Sequence, residues 1–136
     1  MANLVVHFEI YAEDIERAAD FYRNVFGWAF QTMGEMNYTL VFPSGEVEYG
    51  PAKKGINGGL LLRPGLAPQD TLAAPNAFVC TIGVDDIDAS VEAAERHGGH
   101  VDMAITLVEN VGRLAYLRDT EGNLFGVLEP LPMTGQ

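Results

Sequence analysis

The chain has 136 residues, a formal net charge of −11 and 48% hydrophobic residues, a composition typical of one folded globular domain. Its eight lysines and arginines are spread along the chain, which argues against binding nucleic-acid phosphates, and its acidic charge disfavours an anionic membrane surface. No apolar run reaches the ~18 residues of a membrane span, and no basic segment precedes an apolar leader, so we expect a cytoplasmic protein without a nucleic-acid or membrane partner.

The first half of the chain is predicted to form a strand, a helix and three further strands. Leu4–Tyr11 is apolar and aromatic, as strands are, and Asp14 is a good N-cap for the amphipathic helix that follows. Gly27 suits the left-handed position that ends such a helix. The apolar pattern then predicts three strands, over Trp28–Met33, Tyr38–Phe42 and Gly59–Arg63.

The second half repeats this order after a linker. Residues 64–76 hold three prolines and no clear period, which predicts an extended connection. A strand over Ala77–Val84 leads into a helix that is capped by Asp86 and ended by Gly98-Gly99. The remaining strands are predicted over His100–Met103, with an extension to Leu107 left open, over Arg113–Arg118 and over Leu124–Glu129. We therefore expect a single domain of two modules, at about residues 3–63 and 77–130.

A shift of 72 residues relates the two halves. It places Ile10 on Ile82, Asp14 on Asp86, and Gly27 on Gly99. Both segments combine a short apolar strand, an acidic step and a helix closed by glycine. The repeat predicts two half-sites that face each other across a pseudo-twofold axis, with any chemistry at matched positions in the cleft between them.

Several segments of this layout match a known family. They are His7 at the start of the first strand, Asp14 seven residues later, Phe21-Tyr22 with Gly27 beyond, Val84-Asp85-Asp86-Ile87, and the turn Asp119–Asn123. In these segments the chain resembles the vicinal oxygen chelate superfamily, which includes glyoxalase I, bleomycin-resistance proteins, fosfomycin-resistance proteins and extradiol dioxygenases. The resemblance implies an α+β fold in which two tandem βαβββ modules form a curved mixed sheet around a cleft.

The resemblance also implies where a metal ion would bind. Metal-using members hold a divalent cation with side chains from the first and last strands of both modules, and the matched positions here are His7, Leu60, Val79 and Gly126. Of these residues only His7 is a ligand type. We therefore expect that no cofactor is required, and the alternative is a divalent metal such as Zn, Ni, Mn or Fe.

In that alternative, His7 would be joined by non-standard ligands such as Glu9 or Glu129. Glu129 is the carboxylate of the last strand, three residues past the family position, and strand side chains alternate between faces. It would therefore point away from the metal position unless Gly126 marks a bulge.

The first strand carries the candidate catalytic residues, His7 and Glu9. Together with Tyr11 they alternate with Phe8 and Ile10, so the three polar side chains are predicted to share one strand face. If the apolar pair packs under the helix, the polar face borders the ligand cavity that the resemblance implies. Glu9 could then act as a general base, with His7 orienting it or taking part in proton transfer. The alternatives are a buried structural hydrogen-bonded pair or a solvated strand face.

Aromatic side chains are the predicted ligand-binding wall, with Tyr11, Tyr38 and Phe125 as candidates, although a core role is the alternative for each. Arg63 and Glu129 end the last strand of their modules and could form an ion pair near the module interface. Cys80 lies in an apolar run, which predicts a buried thiol.

Three functions fit these residues. The first is a small-molecule-binding or enzymatic glyoxalase-like protein that lacks most of the superfamily's metal ligands. The second is a metal-dependent lyase or isomerase of the glyoxalase I type, and the third is a non-catalytic structural or regulatory dimer. Chains of this length resemble members that pair as twofold dimers, so we expect a homodimer with a small-molecule ligand. Neither the substrate nor the reaction type follows from the sequence.

Overall fold

The computed structural model describes residues 5–34, 38–49, 52, 54–63 and 78–132. The chain divides into two compact units, residues 1–66 and 67–136, and each unit has the element order strand, helix, strand, strand, strand. The predicted α+β fold of two tandem βαβββ modules is therefore confirmed, and each module has its own four-stranded mixed sheet. The predicted linker at 64–76 lies outside the described residues.

The first module consists of β1 (His7–Ala12), α1 (Ile15–Phe26), β2 (Ala29–Met33), β3 (Tyr38–Phe42) and β4 (Asn57–Leu62). Its sheet has the order β1-β4-β3-β2, in which β1 and β4 are parallel and the other pairs are antiparallel. The fourth strand begins two residues earlier than predicted, because Asn57 and Gly58 pair with His7 and Phe8.

Helix α1 forms where the sequence predicts it. The Asp14 carboxylate accepts a hydrogen bond from the Arg17 backbone N–H at 3.0 Å, and Gly27 ends the helix with φ +74°. On the inner side of the helix, Tyr22 stacks on Trp28 at 4.8 Å, and Trp28 lies 5.9 Å from the ring of Phe8. The helix therefore covers the sheet face that carries Phe8 and leaves the opposite face uncovered by α1.

The second module consists of β5 (Thr81–Gly83), α2 (Ile87–Arg96), β6 (His100–Val108), β7 (Gly112–Arg118) and β8 (Leu124–Pro130). Its sheet has the order β5-β8-β7-β6, which matches the first sheet strand for strand. The second strand of this module, β6, takes the longer form that the sequence left open.

Strand β5 is shorter than predicted, and the predicted burial of Cys80 is wrong. Pairing with β8 begins at Thr81, so Phe78–Cys80 lie outside the strand and Phe78 is 90% exposed. The carbonyl of Cys80 accepts a hydrogen bond from Gly126 N at 2.8 Å, while the residue itself is exposed. An apolar sequence at the entry of a strand was therefore a poor guide to burial.

The turn Asp119–Asn123 has a structural role. One carboxylate oxygen of Asp119 accepts hydrogen bonds from the backbone N–H groups of Glu121 and Asn123, at 2.8 and 2.9 Å. Just before the turn, the fully buried Arg118 bonds Asp102 at 2.9 Å and the Gly122 carbonyl at 2.9 Å. This segment of the family pattern thus forms a hydrogen-bonded turn that connects β7 to β8.

The register of β8 excludes the bulge considered at Gly126. Residues Leu124–Pro130 pair with Arg118–Gly112 without interruption, whereas the register shifts of this sheet lie between β6 and β7. Glu129 accepts a hydrogen bond from Ile87 N at 3.0 Å, and Arg63 donates to the Tyr11 carbonyl at 3.1 Å, so each predicted ion-pair partner has contacts within its own module. No helix in the described ranges is long and apolar enough to cross a membrane.

Candidate functional site

The polar residues of β1 share one face of the first sheet, as the alternation predicts. His7, Glu9 and Tyr11 are exposed, and Phe8 and Ile10 between them are half-buried. Because α1 covers the side of Phe8, the polar residues lie on the face that α1 does not cover. We call this surface the His7 face.

The strand register extends the His7 face across the sheet. His7 pairs with Asn57 and Glu9 with Gly59 on the parallel strand β4, and Gly59 pairs in turn with Leu40 on β3. Paired residues point to the same side and alternate residues share it. The face therefore consists of His7, Glu9 and Tyr11 on β1, Asn57, Gly59 and Leu61 on β4, and Tyr38, Leu40 and Phe42 on β3.

Tyr38 joins His7 and Glu9 into one hydrogen-bonded row. Its hydroxyl donates to Glu9 Oε2 at 2.8 Å and lies 2.8 Å from His7 Nε2. A phenol has a single hydrogen, and here the carboxylate accepts it, so the imidazole must supply the hydrogen of the second bond. The network therefore places a hydrogen on Nε2 of His7, and the direction of donation runs from His7 through Tyr38 to Glu9.

The environment of Tyr38 keeps its hydroxyl protonated. Partial burial, the hydrogen bond to Glu9 and the negative charge of Glu9, with a smaller effect of Tyr11, raise the pKa of Tyr38 from 10.0 to about 12. At neutral pH the hydroxyl is thus a fixed donor to Glu9.

Two adjacent glycines on β4 make this arrangement possible. A Cβ added at Gly59 would lie 1.8 Å from the Tyr38 hydroxyl oxygen, and one added at Gly58 would lie 2.7 Å from ring atoms of Phe8. The absence of a side chain at Gly59 therefore leaves room for the Tyr38 phenol on the His7 face. The absence of a side chain at Gly58 leaves room for the Phe8 ring on the face that α1 covers. The signal was present in the sequence, since glycine inside a strand marks close approach by another group.

The same register corrects the match between the two modules. Glu9 pairs with Gly59, and Thr81, which stands 72 residues after Glu9, pairs with Gly126. Gly59 is therefore the counterpart of Gly126, and the assignment of Leu60 to that position is wrong. The error came from aligning the strand ends, and the structure buries Leu60 completely on the other face.

These residues do not fit the four-ligand metal centre that the resemblance implies. The four positions hold His7, Gly59, Val79 and Gly126, which supply one imidazole and no carboxylate. The Tyr38 ring fills the space over Gly59, and a Cβ at Gly126 would meet Thr81 Oγ1 at 2.9 Å. Within the described parts of the chain, no three His, Cys, Asp or Glu side chains form a group that could hold a metal ion.

A cavity of about 170 Å³ lies beside His7 in the first module. Its apolar wall includes Leu40 and Phe42, and its polar side chains are those of His7, Glu48 and Asn57. Tyr49 also lines the cavity; its ring meets Phe42 edge-on at 6.3 Å and is largely exposed. The cavity thus combines an aromatic and aliphatic wall with polar groups at one end.

The predicted site residues fall into two groups. Tyr38 stands at the centre of the row and Tyr11 lies on the same face, 39% exposed. Phe125 lies in the second module, where it is 5% exposed among the buried side chains of β8. Ligand contacts of all three residues stay predictions. The sequence pattern did not indicate a site role for Leu40, Phe42, Glu48, Asn57 or Gly59.

The chain resembles known proteins over most of its length. A family model for the bleomycin resistance protein-like N-terminal region matches residues 5–42, which span β1 to β3. A glyoxylase-like domain-containing protein of Didymella fabae is 32% identical over 120 residues, which cover 88% of each chain. The chain belongs to the vicinal oxygen chelate superfamily.

Further proteins are similar to the chain at lower sequence identity. Anthracycline biosynthesis protein DnrV of Streptomyces peucetius is 29% identical over 136 residues, which cover 94% of this chain, and the chain spans only 49% of that relative's length. Two solved structures share the fold. Fosfomycin resistance protein FosX from Listeria monocytogenes has a TM-score of 0.71 at 13% identity, covering 96% of this chain and 94% of its own. TnmS3, an antibiotic binding protein from Streptomyces sp. CB03234, has a TM-score of 0.65 at 22% identity, covering 96% and 99%.

Proposed function

We propose that the protein binds a small organic molecule on the His7 face of its first module, without a four-ligand metal centre. The observation that carries this proposal is the His7–Tyr38–Glu9 row beside a cavity with an apolar wall. A few fixed polar groups next to aromatic and aliphatic side chains are typical of small-molecule sites.

The cavity favours a ligand with an aromatic ring. It is partly open to solvent, and its volume of about 170 Å³ leaves room for one ring of a larger ligand, since enclosed engineered cavities of about 150 Å³ take up benzene. Leu40 and Phe42 offer an apolar contact to the ring, and the exposed Tyr49 can stack on it. The description of DnrV as an anthracycline biosynthesis protein supports an aromatic ligand, and that of TnmS3 as an antibiotic binding protein supports the binding of a small molecule.

The polar end of the cavity favours oxygen substituents on that ring. His7 commits Nε2 to Tyr38, which leaves Nδ1 to accept a hydrogen bond from a hydroxyl group of the ligand. The Asn57 side chain lines the same end and offers both a donor and an acceptor. We therefore infer an aromatic compound with hydroxyl or keto groups as the ligand class.

A proton-transfer enzyme is the second candidate function, and the direction of the row favours it. If Nδ1 of His7 took a proton from a bound hydroxyl, its Nε2 proton could pass to Tyr38 while the Tyr38 proton passed to Glu9. One proton would then have left the ligand and one would have reached the carboxylate, with Tyr38 neutral before and after.

Titration of ¹⁵N-labelled protein with an anthracycline, and with phenol as a minimal ring, tests the binding proposal. We expect chemical-shift changes at His7, Leu40 and Asn57. Tyr38→Phe should weaken binding by about tenfold or more, equivalent to about 1.4 kcal/mol, because the imidazole loses the partner that orients it. Tyr116→Phe, the same change on the third strand of the second module, serves as the matched control. Shifts confined to other residues, or equal affinities for both variants, would contradict the proposal.

We also propose that the chain forms a homodimer. DnrV is about twice as long as the segment that matches this chain, so that relative has room for two such units in one polypeptide. Two copies of this chain, paired about a twofold axis, would contain as many modules as two such units in one polypeptide. Light scattering at micromolar concentration should give twice the mass of 14.8 kDa, and a monomer mass would contradict the proposal.

A further inference from the structure

The Tyr38 hydroxyl lies where a metal ion bridging His7 and Glu9 would lie. Its oxygen is 2.8 Å from an imidazole nitrogen and 2.8 Å from a carboxylate oxygen, which are two of the commonest ligand atoms for divalent transition metals. Zinc holds such atoms at about 2.0–2.2 Å, so each side chain would need to approach by only about 0.7 Å. Both side chains are exposed and have room to move.

Tyr38 also forms hydrogen bonds with the two side-chain atoms that would have to coordinate a metal ion. His7 Nε2 carries the hydrogen that it shares with the phenol oxygen, and a coordinating imidazole must be unprotonated at the ligand nitrogen. Glu9 Oε2 accepts the phenol hydrogen. A cation entering this position must therefore break both hydrogen bonds and displace the hydroxyl.

The Tyr38 ring blocks a third ligand as well. Residue 59 stands beside Glu9 in the register, at one of the four positions that the resemblance assigns to metal ligands. No side chain fits there while the phenol is present, because a Cβ would lie 1.8 Å from its oxygen. The position of the Tyr38 ring therefore requires glycine at residue 59, and a larger residue there requires the ring to be absent.

We propose that Tyr38 excludes a divalent cation from the space between His7 and Glu9, and that removing its side chain creates a metal site there. This inference does not depend on the identity of any organic ligand. It explains why a chain that keeps the His7 ligand of the superfamily holds a hydrogen-bonded row in its place. It further predicts that Gly59→Glu adds a carboxylate ligand only when Tyr38 has been replaced.

The test is titration of metal-free protein with Co²⁺, followed by visible absorption, and with Ni²⁺, followed by calorimetry. We expect Tyr38→Ala to bind either ion at least about tenfold more tightly than the wild type, because the ion no longer has to displace a hydroxyl that makes two hydrogen bonds. Tyr38→Ala with Gly59→Glu should bind more tightly again. Adding His7→Ala should abolish the gain, and Tyr116→Ala, which removes a tyrosine ring beside Gly126 in the second module, should behave as the wild type.

Two results would overturn the proposal. One is binding by the wild type as tight as that of Tyr38→Ala and equally sensitive to His7→Ala. The other is the absence of binding that depends on His7 in a folded Tyr38→Ala variant. If Tyr38→Ala does not fold, Tyr38→Val also removes the ring and its hydroxyl but keeps a residue that favours strands. Mn²⁺ should then broaden the NMR signals of His7 and Glu9 in that variant but not in the wild type, and no selective broadening would reject the proposal. The anthracycline titration is read separately, so failure of one proposal leaves the other testable.

Discussion

The phenol of Tyr38 lies over Gly59 so closely that a methyl group at residue 59 would come within 1.8 Å of the Tyr38 hydroxyl oxygen. The hydroxyl is in turn held by His7 and Glu9. The conformation of the His7–Tyr38–Glu9 row therefore depends on a glycine on β4, which itself carries no functional group.

Gly59→Ala should disrupt this row. Inserting a methyl group into occupied space typically costs about 1–3 kcal/mol, and here the ring must move away from both hydrogen-bond partners. We expect a loss of that size in the free energy of unfolding, measured by urea denaturation, together with changed NMR signals of the His7 ring. Gly83→Ala is the matched strand control, because a Cβ there would meet no atom within 4 Å. Equal stability of the two variants would show that the Tyr38 ring moves freely.

The raised pKa of Tyr38 makes stability fall at alkaline pH. An unfolded tyrosine loses its proton near pH 10.0, whereas Tyr38 in the folded protein keeps it to about pH 12. Between these values the unfolded state binds fewer protons, so the free energy of unfolding decreases as pH rises through this window. The contribution is complete below pH 10 and lost above about pH 12.

Tyrosine titration by ¹³C NMR measures this effect directly. The ring carbon of Tyr38 should titrate last, and its signal is assigned by its absence in Tyr38→Phe. In Glu9→Gln the pKa of Tyr38 should fall towards 10, although the part caused by burial should remain. A Tyr38 signal that titrates with the other tyrosines, or one that ignores Glu9→Gln, would contradict the hydrogen-bonded row.

Local pattern was enough to predict the scaffold. Alternation on β1 placed His7, Glu9 and Tyr11 on one face, and the two aspartate caps marked the starts of both helices. These features depend on neighbours in sequence, and the physical rule for each acts within one or two turns or strand repeats. The fold class followed because both halves obey the same local rules.

The candidate site was only partly predictable because it depends on pairing between distant segments. Tyr38 reaches Glu9 across 29 residues of sequence, and its place is fixed by the register of β3 on β4. A shift of one residue moves a side chain to the opposite face, and this is how Leu60 was mistaken for the counterpart of Gly126. The adjacent glycines at 58 and 59 were the available signal, but glycine alone does not reveal which ring it accommodates.

The buried ion pair of the second module should contribute strongly to stability. Arg118 is fully buried, and Asp102 bonds its Nε at 2.9 Å. Asp102→Ala leaves a buried guanidinium without its carboxylate partner, a change that typically costs about 3–5 kcal/mol. The measurement is urea denaturation at neutral pH.

The exposed pair Arg113–Asp88 is the matched control for that variant. Its two side chains also form a close ion pair, at 3.0 Å, but both are solvated. The hydrogen bond from Arg113 lowers the pKa of Asp88, so the small contribution of this pair is present at neutral pH and lost in acid. Asp88→Ala should therefore lower stability far less than Asp102→Ala does. A similar loss in both variants would show that burial of Arg118 does not govern the effect.

Asp14 and Asp86 are the helix N-caps at equivalent positions of the two modules. Replacing each of them tests whether the two caps contribute equally to the free energy of unfolding. Each carboxylate accepts a hydrogen bond from the backbone N–H three residues on, at 3.0 Å from Arg17 and 3.1 Å from Ala89. Asp14→Ala and Asp86→Ala should each lower stability by about 1 kcal/mol, since alanine cannot satisfy that donor. Asp14→Asn and Asp86→Asn should cost much less, because asparagine caps helices about as well as aspartate.

Amide hydrogen exchange should localise the loss to the helix whose cap is changed. In Asp14→Ala, protection should fall first in the opening turn of α1, and in Asp86→Ala in the opening turn of α2. Equal loss of protection in both helices from a single cap variant would contradict independent capping and would show instead that the two modules open together. A fall as large in the asparagine variants would assign the effect to the charge of the aspartate near the helix dipole rather than to its hydrogen bond.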